Sequence, residues 1–217
     1  MAKIEVYYES SEEDDAGISI RVVDKGASLA DLLEAWQPLC DDPGIFKNYA
    51  TGNYSACKGC QQNCCNTAYV IPDLISFKMM ARQLNCSYEE FLRRYFHKEK
   101  LDLGLARMKP DPCIFLDNNI CSIYPFRSLI CRFYICSKIS ATAQQLIYSI
   151  SWTGAAATQL FLEKAGLITD APAGGFSSFD MMFRRLLEEY RNDSNIQLFM
   201  NATEYSDIPL EPFLSRI

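Results

Sequence analysis

Four cysteines fall within the segment ACKGCQQNCCN, at Cys57, Cys60, Cys64 and Cys65. A second concentration follows in PCIFLDNNICSIYPFRSLICRFYIC, with Cys113, Cys121, Cys131 and Cys136. So dense a set of thiols can serve as disulfides, as metal ligands or simply as buried side chains. Thiolate sulfur suits zinc and iron–sulfur clusters, and four sulfurs complete either kind of site. The eight cysteines therefore suffice for two sites, or for one site with cysteines to spare. The chain has one histidine, His97, and a single imidazole cannot replace many sulfurs, so a metal site here is expected to be all-cysteine. Cys40 and Cys86 stand alone and read as small buried hydrophobes.

Compartment bears on the choice between disulfides and metal. The chain starts MAKIEVYYES, with no apolar core segment and no small-residue cleavage pattern of a signal peptide. The longest apolar stretch, AQQLIYSISWTGAAATQLFL, is interrupted by Gln144, Gln145, Thr153 and Gln159 and reads as an amphipathic core helix rather than a membrane span. A cytoplasmic protein is expected. In a reducing compartment clustered cysteines remain thiols, which favours metal over disulfides. A chain of 217 residues can also build a core without staples. The formal net charge of −6 lacks the basic footprint that nucleic acid requires. Neither nucleic acid nor a membrane is an expected partner; a redox partner or another protein is.

Spacing separates the metals only slightly. Cys57 and Cys60 form one C-x2-C knuckle, whereas zinc ribbons usually carry two. The ferredoxin run of three cysteines at two-residue gaps is also absent. These spacings put an iron–sulfur cluster a little ahead of zinc. Four thiolates around zinc or a 2+ cluster leave about two net negative charges, which call for nearby donors. Lys58, Arg127 and Arg132 lie within the cysteine blocks, and Arg127 and Arg132 are the expected charge-compensating residues beside the metal. Phe115, Tyr124, Phe126, Phe133 and Tyr134 supply either a water-excluding shield or plain core.

Standard catalytic motifs are missing: there is no H-E-x-x-H, no P-loop, no G-x-S-x-G and no glycine-rich methyl-donor loop. His97, in RRYFHKEK, reads as an ordinary, partly exposed histidine on a helix. No catalytic residue is identified.

The elements that must position the thiols are mostly helical. IEVYY and ISIRVV flank the acidic stretch ESSEEDDAG and read as a β-hairpin over 4–8 and 18–23 with a solvated tip. Ser28, with Asp31 three residues on, opens a helix that ends in the Pro38–Pro43 region. Residues 44–66 look irregular. A helix near 72–84 follows, and Ser87 with Glu90 opens another through YEEFLRRYFHKE. Residues 101–136 lose the helical period and suit short strands and turns. A long helix near 142–165 ends at Gly166, DAPAGGFSS is a linker by composition, and FDMMFRRLLEEYRN is a helix capped by Ser177 or Ser178. The expected fold is α+β and mostly helical, a single domain organised around a cysteine-rich metal site with a small N-terminal β-hairpin. Its parts are the hairpin (1–27), the cysteine-cluster core (28–137) and a C-terminal helical region packed on that core (138–217).

The cysteine pattern resembles the YkgJ-type cysteine-cluster family, the CxxCxxCC zinc- or iron-chelating proteins. Cys57, Cys60, Cys64 and Cys65 match its first element. Cys113, Cys121, Ile123, Tyr124, Arg127, Cys131, Arg132 and Cys136 match the second, with Ser128 where the family usually has proline. The resemblance covers roughly residues 55–137. It implies a metal-binding protein holding an iron–sulfur cluster (4Fe–4S) or zinc through the eight cysteines, in a structural or electron-transfer role. Flagellin lysine-N-methylases carry a similar cluster, so the resemblance also admits a cluster-dependent oxidoreductase or methyltransferase acting on a protein. A zinc-stabilised interaction module is the third reading.

Overall fold

The computed structural model describes residues 2–10, 16–49, 52, 58, 60, 64–66, 69–110, 112–169 and 176–215. The chain is mostly helical, with a two-stranded antiparallel hairpin at its start. Strands β1 (Ile4–Glu9) and β2 (Gly17–Val22) pair from Ile4 opposite Val22 to Glu9 opposite Gly17. Most of the acidic tip, residues 11–15, lies outside the described residues. The hairpin buries Ile4 and Ile18. It docks by backbone bonds from the Ile18 N–H to the Lys138 carbonyl (2.9 Å) and from the Ser140 N–H to the Ile18 carbonyl (3.0 Å). Gly17 permits this approach, since a Cβ there would lie 2.8 Å from the Ile139 carbonyl carbon.

Helix α1 (Leu29–Asp41) opens on the Ser28–Asp31 capping box and buries Leu29, Leu32, Leu33, Trp36 and Cys40. It runs past Pro38 before ending at Asp42. Packing of that apolar face offsets the cost of a proline inside a helix, ordinarily about 3 kcal/mol. Part of the segment expected to be irregular is helical: α2 (Pro43–Tyr49) starts on a proline and buries Phe46, a favourable first position because proline has no N–H to leave unpaired.

Helices α3 (Leu74–Gln83), α4 (Tyr88–Tyr95) and α5 (Lys98–Asp102) form the insertion between the cysteine blocks. The helix expected to run through residue 99 breaks at Phe96, which turns extended and buries its ring completely. There Phe96 bridges Met108 and packs edge-on against Phe77 and Phe91. His97 is half-buried, as expected, but precedes α5 rather than lying within a helix.

After two short strands and α6 (Leu129–Phe133), the long helix α7 (Ala141–Lys164) crosses the core. It is amphipathic only in its first half: Gln144, Gln145 and Tyr148 are exposed, while Thr153 through Leu160 are buried without a break. Two of its buried polar side chains tie it to other segments. Gln159 accepts from the Ala106 N–H and donates to the Gly104 carbonyl, and the Thr158 hydroxyl donates to the Pro72 carbonyl. The helix ends before Gly166, at φ 67°, in the left-handed region that glycine tolerates. No helix among the described residues is long and apolar enough to cross a membrane.

Helix α8 (Ser178–Tyr190) carries a capping box from Ser177 to Asp180; residues 170–175 of the expected linker lie outside the described residues. Two further helices, α9 (Ser194–Asn201) and α10 (Glu211–Leu214), complete the C-terminal region and bury Ile196, Phe199 and Phe213. They are short and lack a marked apolar period, which is why the sequence reading stops at α8.

Two buried carboxylates hold these pieces together. Asp73, 1% exposed, caps α3 through the Ser76 N–H (3.0 Å), accepts the Leu129 N–H at the start of α6 (2.9 Å) and receives the Tyr205 hydroxyl (3.0 Å). Asp73→Ala removes the cap and leaves buried donors without an acceptor, for an expected loss of at least about 2 kcal/mol, read by urea unfolding. A change within about 0.5 kcal/mol, the range of an ordinary surface substitution, would contradict this arrangement.

Asp180 is fully buried and accepts from Lys100 (2.5 Å), Tyr69 (2.6 Å) and Ser177. Burial pushes its carboxyl up, but the bonds from Lys100, Tyr69 and Ser177 outweigh that and hold it well below the usual carboxylate range. A carboxyl depressed on folding stabilises the protein above its unfolded pKa, about 3.9, and loses that contribution as pH falls below it. Wild-type stability is therefore expected to fall steeply below about pH 4. Asp180→Asn is expected to be roughly 3 kcal/mol less stable at pH 7 and to show a flatter acid limb.

Candidate metal centre

Local backbone chemistry positions several of the described cysteines. Cys64 and Cys65 lie on a single 3₁₀ turn, Cys64–Asn66. The Cys65 carbonyl accepts the N–H of Cys113 at 2.7 Å, a bond that joins the two blocks. Beyond Cys113, β3 (Leu116–Asp117) and β4 (Ile120–Cys121) form a miniature hairpin with Leu116 opposite Cys121. Its turn residues, Asn118 and Asn119, both have positive φ (47° and 62°), as a two-residue primed turn requires. A 3₁₀ turn at Tyr124–Phe126 and an extended Arg127 then lead into α6, which bears Cys131. Ser128 has φ −55° at the start of α6. A proline would hold that same angle.

These segments enclose one cavity of about 90 Å³. Cys60, Cys64, Cys65, Cys113, Cys121, Cys131 and Cys136 all line it. Cys57 lies outside the described residues. Among the described residues, no three histidine, cysteine, aspartate or glutamate side chains meet as a ready ligand set for a single ion; the sulfurs stand around a void. Val70, Met80, Met108, Phe115 and Ile123 supply apolar wall, and Tyr124 and Tyr134 line it as well. Phe126 and Phe133 pack into the core instead. Lys58 and Arg127 are the charged side chains among the described lining residues, and both are cations.

Arg127 is 5% exposed. Its guanidinium donates to the Tyr124 carbonyl (2.7 Å) and the Cys131 carbonyl (3.3 Å), and lies 3.6 Å from the centre of the Tyr124 ring. The Tyr124 hydroxyl donates to Asp41 (2.8 Å), which ties this turn to α1. Arg132, expected beside the cysteines, is placed over the Tyr205 ring and does not line the cavity. Of the isolated cysteines, Cys40 is fully buried and its thiol donates to the Arg132 carbonyl. Cys86 is half-buried beside Arg94.

The thiols differ in acidity according to their surroundings. Cys65 is lowered to about 7, first because the Cys64 thiol donates to it and then through the Arg127 charge, against burial. Burial pushes Cys121 up to about 11 and also raises Cys113, Cys131 and Cys136. A coordinated cation removes such protons outright, because it becomes the dominant local charge. A cysteine-rich wall with cations and no carboxylate among its described residues suits a positively charged metal group made net anionic by thiolates.

The sequence reading missed Asp73, the residue that positions α6. The Pro-Asp dipeptide before an apolar run signals a helix cap, but its bonds to Leu129 and Tyr205, 56 and 132 residues away, leave no local trace.

Residues 56–150 match the model of the CxxCxxCC family, described as "Putative zinc- or iron-chelating domain". The match takes in both cysteine blocks, the helices between them and the first part of α7. No curated protein and no solved structure matches the chain.

Arg127→Gln removes the buried guanidinium from two carbonyls and from the Tyr124 ring. An expected loss of about 1–3 kcal/mol in the metal-free protein compares with at most about 1 kcal/mol for Arg132→Gln, which loses a ring contact. Urea unfolding of the two variants side by side checks the difference, and equal losses would contradict it.

Proposed function

Starting from the match of residues 56–150 to a zinc- or iron-chelating domain, we propose that the protein binds metal as an iron–sulfur cluster seated in the cysteine-lined cavity. One observation carries this reading: seven cysteines from two blocks, separated in sequence by three helices, line a single void. Zinc bound by four thiolates at about 2.3 Å draws its sulfurs to within about 3.8 Å of one another. A polynuclear cluster instead occupies a volume between its ligands, which suits sulfurs set around a space of about 90 Å³. Within that site the chain's own groups have distinct tasks. The thiolates bind, Arg127 offsets part of their charge, and Phe115, Ile123 and Met108 restrict water. The bound cluster would supply one-electron chemistry. Tyr134, which also lines the cavity, is 47% exposed, so the site lies close enough to the surface for electron exchange with a partner.

The test is metal and acid-labile sulfide analysis, with an absorption spectrum, on protein purified without oxygen and without a metal-affinity tag. Iron with equimolar sulfide and a broad band near roughly 400 nm is expected. Reversible bleaching by dithionite would support electron transfer over a structural role. Colourless protein with stoichiometric zinc would replace the cluster by a structural zinc site. Folded protein with neither metal would overturn metal binding altogether.

A further inference from the structure

We propose that α8 is a self-association face, on which a second copy of the chain docks as an antiparallel helix pair. The helix already turns one side to the core, where Asp180, Phe183 and Leu187 are buried. At about 100° per residue, Phe179, Met182, Leu186 and Tyr190 fall on an adjoining strip. Phe179 is 46% exposed, Met182 52% and Tyr190 41%, and Leu186 is half-buried. A second apolar strip with this helical spacing is a seam for another helix. Its two ends are held from below. The Phe179 ring packs on Tyr69 at 4.5 Å between centroids, and Tyr190 packs edge-on against Trp152 at 5.7 Å. Methionine and aromatic side chains are enriched in interfaces, and a strip anchored at both ends has less freedom to lose on contact.

The charges beside the strip identify its occupant. Arg185 and Glu189 flank it on the same side and are exposed. Neither makes a hydrogen bond or ion pair among the described residues, whereas the neighbouring Glu188 is paired with Arg191. A two-fold axis between antiparallel helices keeps each flank on its own side. With Leu186 at the axis, Met182 faces Tyr190 of the second copy, and Tyr190 faces its Met182. Arg185 then lies two residues, about 3 Å along the helix, from Glu189 of the second copy, and the symmetric pair forms with it. A parallel arrangement would instead set arginine against arginine and glutamate against glutamate. The 13 residues of α8 make a helix about 20 Å long, which covers less than the roughly 800 Å² per partner of a stable complex. The dimer is therefore expected to be weak, with a dissociation constant in the micromolar range.

Sedimentation equilibrium under reducing conditions, so that no intermolecular disulfide contributes, tests the pairing. Wild type is expected to pass from monomer to dimer between about 5 and 500 μM. Met182→Glu puts a charge in the seam, and Arg185→Glu sets carboxylate against carboxylate. Each is expected to raise the dissociation constant at least about tenfold, with the circular dichroism of wild type. The exchange Arg185→Glu/Glu189→Arg restores both ion pairs and is expected to return the constant to within about threefold of wild type. Wild type that stays monomeric at about 500 μM overturns the proposal, and binding of that monomer to phosphatidylcholine vesicles would give the face to a membrane instead. A dimer left intact by Met182→Glu lies elsewhere on the molecule and overturns it too. So does an exchange variant that recovers nothing of what Arg185→Glu loses. If Met182→Glu does not fold, the two charge variants decide alone: loss followed by recovery supports the antiparallel pair, and any other pattern refutes it.

Discussion

The Asp73 carboxylate is nearly sealed from water, and it accepts from the Ser76 N–H and hydroxyl, the Leu129 N–H and the Tyr205 hydroxyl. A buried anion is costly unless every lone pair is answered, and here the answers come from three distant parts of the chain. Two of them are backbone N–H groups at helix starts, where unpaired donors make an anion welcome. The close fit needs Gly154 on α7, because a Cβ there would come within 2.6 Å of the Asp73 Cβ. Cys131 lies on α6 and Arg127 just before it, so one wall of the cysteine cavity depends on a carboxylate that is not itself in the cavity. Chemistry at the site and stability of the core therefore share a single anchor.

Local signals were legible where a short stretch of sequence contains the whole cause. The hairpin alternation, the Ser28–Asp31 cap, the serine cap at Ser177 or Ser178, and the Gly166 stop each lie within a few residues of what they determine. The break at Phe96 was not legible, because RRYFHKE has good helical spacing and the break comes from Phe77 on α3 taking up the ring and from a backbone bridge to the distant Met108. Helices α9 and α10 were hidden for a related reason. Their buried polar residue Asn195 donates to the Pro212 carbonyl, a contact that makes sense only once both helices are in place.

The site was legible as a composition and only partly as a geometry. Density and spacing pointed to the cysteines that line the cavity, and the charge argument pointed to Arg127. The same argument chose Arg132 equally, because proximity in sequence does not reveal direction. Arg127 precedes α6 in extended backbone and faces the sulfurs, whereas Arg132 lies within that helix and is turned toward Tyr205.

The N–H···O bond from Cys113 to Cys65 also has a meaning in time. It closes a chain segment that contains all of α3, α4 and α5, and contacts of such long sequence separation form late in folding because loop closure must precede them. Until those helices have packed between the two cysteine blocks, the thiols belong to separate strands of open chain, each exposed to solvent and to oxidants. Closure of that segment therefore sets the moment at which the two blocks of thiols first come within reach of one another.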